Sequence, residues 1–262
     1  MTDHHLGTAL ITGASSGIGA TYADRLARRG HDLVLVARDR ARMEATAATL
    51  RNQTGVAIDI LPADLTVAAE LRTVEARLRQ DARIKLLVNN AGAAGQPGFA
   101  EPDLDALDNL IRLNVTAVTR LAGAVVPRFL ASGGGAIINI ASVLAVAPEM
   151  FSGIYPATKA FVLTFSQSLQ GELGGRGIYV QAVLPAATRT EIWQRSGRDI
   201  TAIAGVMDVD EMVDAALVGF DRREAITIPS LHDLGQWEAF TAARQGMLPN
   251  FRQVHAAARY HA

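Results

Sequence analysis

Residues 153–161 read GIYPATKAF, which sets Tyr155 four residues ahead of Lys159. Positions i and i+4 share one side of an α-helix, so a phenol and an ammonium at this spacing lie within reach of each other. Pro156 suits a first helical turn, where its missing N–H has no partner to lose. A phenol beside a cation is a candidate proton donor and acceptor, because positive charge favours the phenolate. The same pair also reads as a helix entrance with a snorkelling surface lysine. The rest of the chain has to decide.

A second candidate lies near the N-terminus, where the apolar run TALIT leads into TGASSGIGA. Gly13, Ser15, Ser16, Gly17, Ile18 and Gly19 there make a strand, a glycine-rich turn and the start of a helix. Backbone can approach an anion closely at such a turn, and a helix N-terminus adds N–H groups and a favourable dipole. The spacing is G-x-x-x-G-x-G rather than the commoner G-x-G-x-x-G. Glycines also serve plain turns, so the spacing alone is a moderate signal.

These residues need a scaffold, and the apolar pattern supplies one. Short aliphatic runs occur at 8–12, 32–37, 56–61, 85–90, 136–141, 178–184 and 225–229. Between them lie segments such as ATYADRLARRG and VAAELRTVEARLRQ, apolar at three- and four-residue spacing. Strand runs alternating with helical segments predict βαβ units, and continuous apolar runs predict strands covered on both faces. The expected fold is α/β: a Rossmann-like, doubly wound, seven-stranded parallel sheet with helices on both faces, in a single domain over 1–262. Residues 231–262 form a C-terminal helical extension that packs on a partner subunit or is partly disordered.

In such sheets ligands bind beyond the carboxyl ends of the strands. The second run ends in Ala37-Arg38-Asp39, where Asp39 reads as an N-cap for the next helix and Arg38 has no local task. After the third run, Asp64 fits two roles alike: an acceptor for an adenine amino group, or a turn before Thr66. The fourth run ends in NNAG, residues 89–92; Gly92 permits close backbone approach, and the asparagines either bridge strands or meet a ribose.

Composition narrows the function. The 262 residues are 49% hydrophobic and carry a formal net charge of −1, which favours neither nucleic acid nor an anionic membrane. Cysteine is absent, so disulfides and thiolate metal sites are excluded, and a reducing, cytoplasmic setting fits. No metal is expected, and His4 and His5 read as terminal residues rather than ligands. No signal peptide or bilayer-spanning apolar run is expected. Residues 115–127 contain only Arg120 as a charge and residues 160–171 contain none. Helices apolar nearly all round are buried on more than one side, which points to a homo-oligomer, dimer or tetramer; a thick single-chain core is the other reading.

TGASSGIG, NNAG, LNVTAV, INIAS and YPATK, in this order, resemble the short-chain dehydrogenase/reductase family of NAD(P)-dependent oxidoreductases. The resemblance covers about residues 7–230. It implies a catalytic tetrad of Asn114, Ser142, Tyr155 and Lys159, with residues 13–19 as the phosphate-binding turn. It also implies that Asp64 and Leu65 contact adenine and that Asn90, ahead of Ala91 and Gly92, lies near the ribose. The nicotinamide-side segment is Pro185, Ala186, Thr188 and Thr190, where the family's usual Pro-Gly is here Pro-Ala.

The implied reaction passes a hydride between cofactor and a ketone or secondary alcohol, while Tyr155 moves the proton. Lys159 and the positive nicotinamide ring of the oxidised cofactor are together expected to lower the phenol from about 10 by about three units, which takes about 4 kcal/mol. By the same resemblance Lys159 also holds the ribose, Ser142 bonds the substrate oxygen, and Asn114 positions a relaying water. Ala37 and Arg38 predict NADP(H) in preference to NAD(H), since nothing acidic at Ala37 repels a 2′-phosphate. Phe99, Val143, Leu144, Met150, Phe151, Ile192, Trp193, Ile203 and Met207 predict an apolar substrate lining. Arg189, Arg195 and Arg198 read as a solvated face or as a greeting for an anionic group. A non-catalytic nucleotide-binding sensor or scaffold is the competing reading, and the intact tetrad argues against it.

Overall fold

The protein is described by a computed structural model covering residues 6–95, 99–197 and 199–261. The chain divides into two compact units, Met1–Pro229 and Ser230–Ala262.

The first unit alternates strand and helix: β1 (Thr8–Thr12), α1 (Gly17–Arg28), β2 (Asp32–Ala37), α2 (Arg40–Thr54), β3 (Ile58–Pro62), α3 (Ala68–Gln80) and β4 (Ile84–Asn89). There follow α4 (Leu104–Ile111), a π-helical turn (Arg112–Ala117), α5 (Val118–Ala131), β5 (Gly135–Ile140), α6 (Tyr155–Leu173) and β6 (Ile178–Val183). A short α7 (Ile192–Arg195), then α8 (Val209–Asp221) and β7 (Ile226–Thr227), complete it. The strands form one parallel sheet in the order β3-β2-β1-β4-β5-β6-β7, as the apolar runs predicted. The order reverses between β1 and β4, which opens a crevice at their carboxyl ends.

Each face of the sheet is buried by its own set of helices. Tyr22, Leu26, Met43 and Leu50 of α1 and α2 join Met212 and Leu217 of α8 in one core. Leu71, Val74 and Leu78 of α3 join Leu121, Val125 and Phe129 of α5 in the other. Individual boundaries differ from the sequence reading for local reasons. Strand β3 starts at Ile58 because the Ala57 N–H is taken by the Asp32 side chain at 2.9 Å. Strand β7 shrinks to two residues, with Pro229, which has no N–H to donate, just beyond it.

The helical run Leu104–Ala131 has 28 residues and a mean hydropathy of 1.2 over an 18-residue window, long and apolar enough to cross a membrane. That differs from the expectation of no such run. The apolarity has a local cause: Leu121, Val125 and Phe129 fill the sheet core, and Arg128 bonds the Leu78 carbonyl at 2.9 Å.

The second unit holds α9 (Leu234–Gly246), capped by Asp233 accepting from Gly235 N at 2.9 Å, and two short 3-10 turns. No residue of α9 is buried, and Trp237 stacks on Phe240 with ring centroids 5.4 Å apart.

Candidate active site

The carboxyl ends of the central strands open into a cleft of ≈ 1060 Å³. Its floor is organised by Thr12, which the sequence reading passed over. The Thr12 hydroxyl accepts from the Asn90 and Ala91 N–H groups, both at 3.0 Å, and donates to Val88 O at 3.3 Å. The Asn90 side chain donates to Thr12 O at 2.8 Å and Gly13 O at 3.3 Å. Of the two roles open to it, strand bridging is therefore the one its amide group performs. Asn89 bridges too, donating to Asn139 Oδ1 at 2.9 Å, and Asn139 continues to Ser166 Oγ at 2.9 Å.

The glycine turn is shaped for an anion. Gly13 and Gly17 have φ of 66° and 53°, a region that side chains disfavour. A side chain on Gly19 would run into the Gly13 carbonyl, so α1 could not pack so close to β1 with any other residue. The first turn of α1 carries no acidic residue of its own, so no carboxylate on the helix competes for its N-terminal amides.

Tyr155 opens α6, and Lys159 lies one turn on, as the spacing predicted. Lys159 is buried, with Nζ donating to Ile140 O at 2.8 Å and lying 5.6 Å from the Tyr155 ring centre. Ser142 follows β5; its hydroxyl accepts from Leu144 N at 3.2 Å and donates to Pro185 O at 3.4 Å. Ser142 and Tyr155 line the cleft together, and the Ser142 hydroxyl favours the charged form of the phenol. Burial nevertheless pushes the phenol up to about 12. Desolvation is the largest influence on the phenol, while the Lys159 ammonium donates to the Ile140 carbonyl. Burial likewise lowers Lys159 to about 8.

Asn114 lies in the π-helical turn, a feature the sequence reading missed. Its Oδ1 accepts from Ala93 N at 3.0 Å, and its Nδ2 donates to Ala93 O at 2.9 Å and Thr158 Oγ1 at 3.0 Å. Thr158 in turn donates to Tyr155 O at 2.8 Å, so the π-turn is tied to the first turn of α6. A side chain on Gly92 would meet Asn114 Oδ1 at 3.2 Å and Lys159 Nζ at 3.5 Å, which keeps that corridor narrow.

Of the predicted site residues, Gly19 and Asn114 stand behind the cleft wall and the others line it. Arg38 is 74% exposed and lies 3.7 Å from the Asp64 carboxylate. Asp64 makes the turn that was one of its two readings, accepting from Thr66 N at 2.9 Å and Thr66 Oγ1 at 2.7 Å. Asp39 caps α2 as expected, accepting from Arg42 N at 3.0 Å. Ala186 stands in the cleft wall, where its carbonyl accepts from Thr188 Oγ1 at 3.0 Å.

The apolar lining includes Val143, Leu144, Met150, Phe151, Ile192, Trp193 and Ile203. Phe99 is 62% exposed outside it, and Met207 instead bonds Ala187 O through its N–H at 2.9 Å. Arg189 is exposed, whereas the Arg195 side chain, Arg198 and the first five residues, His4 and His5 among them, lie outside the described residues.

Residues 7–201 match the short chain dehydrogenase family, and the chain belongs to it. A short-chain dehydrogenase from Sphingobium yanoikuyae, solved in complex with NADPH, is 62% identical with a TM-score of 0.95, over 97% of this chain and 100% of that one. A bulky-bulky ketone specific alcohol dehydrogenase from Comamonas testosteroni is 54% identical with a TM-score of 0.92, over 98% and 100%. A very-long-chain 3-oxoacyl-CoA reductase from Anas platyrhynchos is 34% identical over 191 residues, 70% of this chain and 60% of that protein's length.

Proposed function

We propose that this protein is an NADP(H)-dependent carbonyl reductase acting on ketones with bulky hydrophobic groups, with Asn114, Ser142, Tyr155 and Lys159 as its catalytic machinery. The observation that carries the reading is the convergence of Ser142, Tyr155, buried Lys159 and the glycine turn on one cleft. The cleft fits the cofactor: the positive-φ glycines would cradle a pyrophosphate, Lys159 would hold a ribose, and Arg38 would offer bidentate bonds to a 2′-phosphate. When bound, the reduced nicotinamide supplies the hydride.

The side chains do the rest. Ser142 holds the substrate oxygen, and Tyr155 gives it a proton as charge develops. A phenol that keeps its proton to about pH 12 arrives protonated, which suits reduction. Lys159 places positive charge beside the phenolate that remains, and Asn114 fixes the π-turn against α6. The apolar wall of Leu144, Phe151, Ile192 and Trp193 supports bulky substituents, as does the description of the Comamonas testosteroni relative. The absence of cysteine fits the cytoplasm, where we place the enzyme. We also propose a homodimer or homotetramer built on α5 and α6. Phe161, 38% exposed and stacked on Phe165, leaves apolar surface on that side.

The test is NADPH oxidation with a ketone panel. Wild-type protein should turn over a bulky ketone. Tyr155→Phe should lose more than about 90% of kcat, at least about 1.4 kcal/mol, while binding NADPH nearly as well. Retention of a tenth or more of kcat refutes the proton-donor role.

A further inference from the structure

Two lips bound the cofactor cleft, and they spring from separate strands. One is the start of α2, which follows β2; the other is residues 188–191, which follow β6. Strands β1, β4 and β5 lie between them, so the lips begin about 19 Å apart at about 4.8 Å per strand. Two side chains close that distance. Arg42 Nη1 donates to both carboxylate oxygens of Glu191, at 2.9 and 2.8 Å. Asp39 belongs to the same group, its Oδ2 lying 3.4 Å from Arg42 Nε.

The bridge has a defined relation to the glycine turn. A side chain on Gly17 would meet Thr190 Cγ2 at 3.1 Å, so the segment that carries Glu191 lies directly on the turn. Glu191 itself lines the cleft. A carboxylate in the wall of a phosphate site has the wrong sign, and Arg42 balances it. The two residues are 149 positions apart, so no helical or turn spacing accounts for the pairing.

We propose that Arg42 and Glu191 form a clasp that holds residues 188–191 over the bound cofactor and sets the rate of its exchange. Both are positioning residues, and the proposal rests on the cofactor reading above. Their side chains are 50% and 40% exposed, so water reaches the pair and it can open at each turnover.

The experiment is stopped-flow release of NADPH from the full-length protein, chased with excess NADP+, together with association rates. Arg42→Gln and Glu191→Gln should each speed release by about threefold to tenfold. Their association rates should diverge: Glu191→Gln faster than wild type, since it removes a like charge, and Arg42→Gln slower, since it takes a compensating cation from that charge. The double variant should release no faster than the faster single, as expected when both remove one shared interaction. Wild-type release in either single, or effects that multiply in the double, would overturn the clasp. A wild-type protein that bound no NADPH would instead overturn the cofactor reading on which it rests.

Discussion

Replacing Lys159 by methionine should make the protein inactive and, at neutral pH, more stable. Lys159 is 5% exposed, and burial brings its ammonium from 10.5 to about 8. That difference corresponds to about 3 kcal/mol of folding free energy lost while the lysine is charged in both states. The single bond to Ile140 O, lost in the variant, returns about 1 kcal/mol of this. Lys159→Met fills similar volume without charge, so a net gain of about 1–2 kcal/mol is expected at pH 7.

The pH dependence identifies the cause. Between pH 8 and 10.5 the folded lysine has lost its proton while the unfolded one keeps it, so the unfolded state binds more protons and wild-type stability rises with pH. From pH 7 to pH 10 the stability difference should move by about 2–3 kcal/mol toward the wild type, enough to reverse its sign. Tyr155, raised to about 12, acts the other way, since the folded state keeps a proton that the unfolded phenol loses above pH 10. It is common to both proteins and drops out of the comparison. The assay is urea unfolding of each at fixed protein concentration, without cofactor, at pH 7, 8, 9 and 10. A stability difference that stays flat across this range refutes the assignment of a strained, buried ammonium.

Arg38→Ala should lower the NADPH-over-NADH ratio of kcat/KM by about tenfold to a hundredfold, the value of a charged contact to phosphate. An unchanged ratio removes Arg38 from the site. Sedimentation at micromolar concentration should show a dimer or tetramer, and Phe165→Glu should dissociate or unfold it. A monomeric wild type ends the proposed assembly.

Much of this was legible because it is local. Strands β1 to β6 announce themselves as aliphatic runs, and the Tyr155–Lys159 spacing needs only helical geometry. The glycine turn was legible for a similar reason, although the clash that excludes any side chain at Gly19 involves the Gly13 carbonyl. What escaped depends on pairings across the sheet. Thr12 looks like an ordinary strand end until Asn90 and Ala91 arrive beside it. Arg42 and Glu191 read as surface charges, since nothing in their flanking residues says that they meet. Asp64 offered two roles of equal weight, and only the contacts of Thr66 and Arg38 show its present one. The raised phenol escaped as well, because charge spacing is visible in a sequence and desolvation is not.

The π-helical turn at Arg112–Ala117 carries a consequence about counting. Bonds from i to i+5 accommodate one more residue than an α-helical turn would. Each residue in a regular helix advances the direction of a side chain by about 100°. Deleting any one residue from 112 to 117 other than Asn114 would let α4 and α5 merge into a regular helix with ordinary bonding. Asn114 would then swing away from Ala93 and Thr158, although every chemically important residue was still present in order. Position along the chain, as much as side-chain identity, is what this site requires. Insertions and deletions in this stretch are therefore a harsher perturbation than almost any substitution, and a survey of point variants alone would not reveal it.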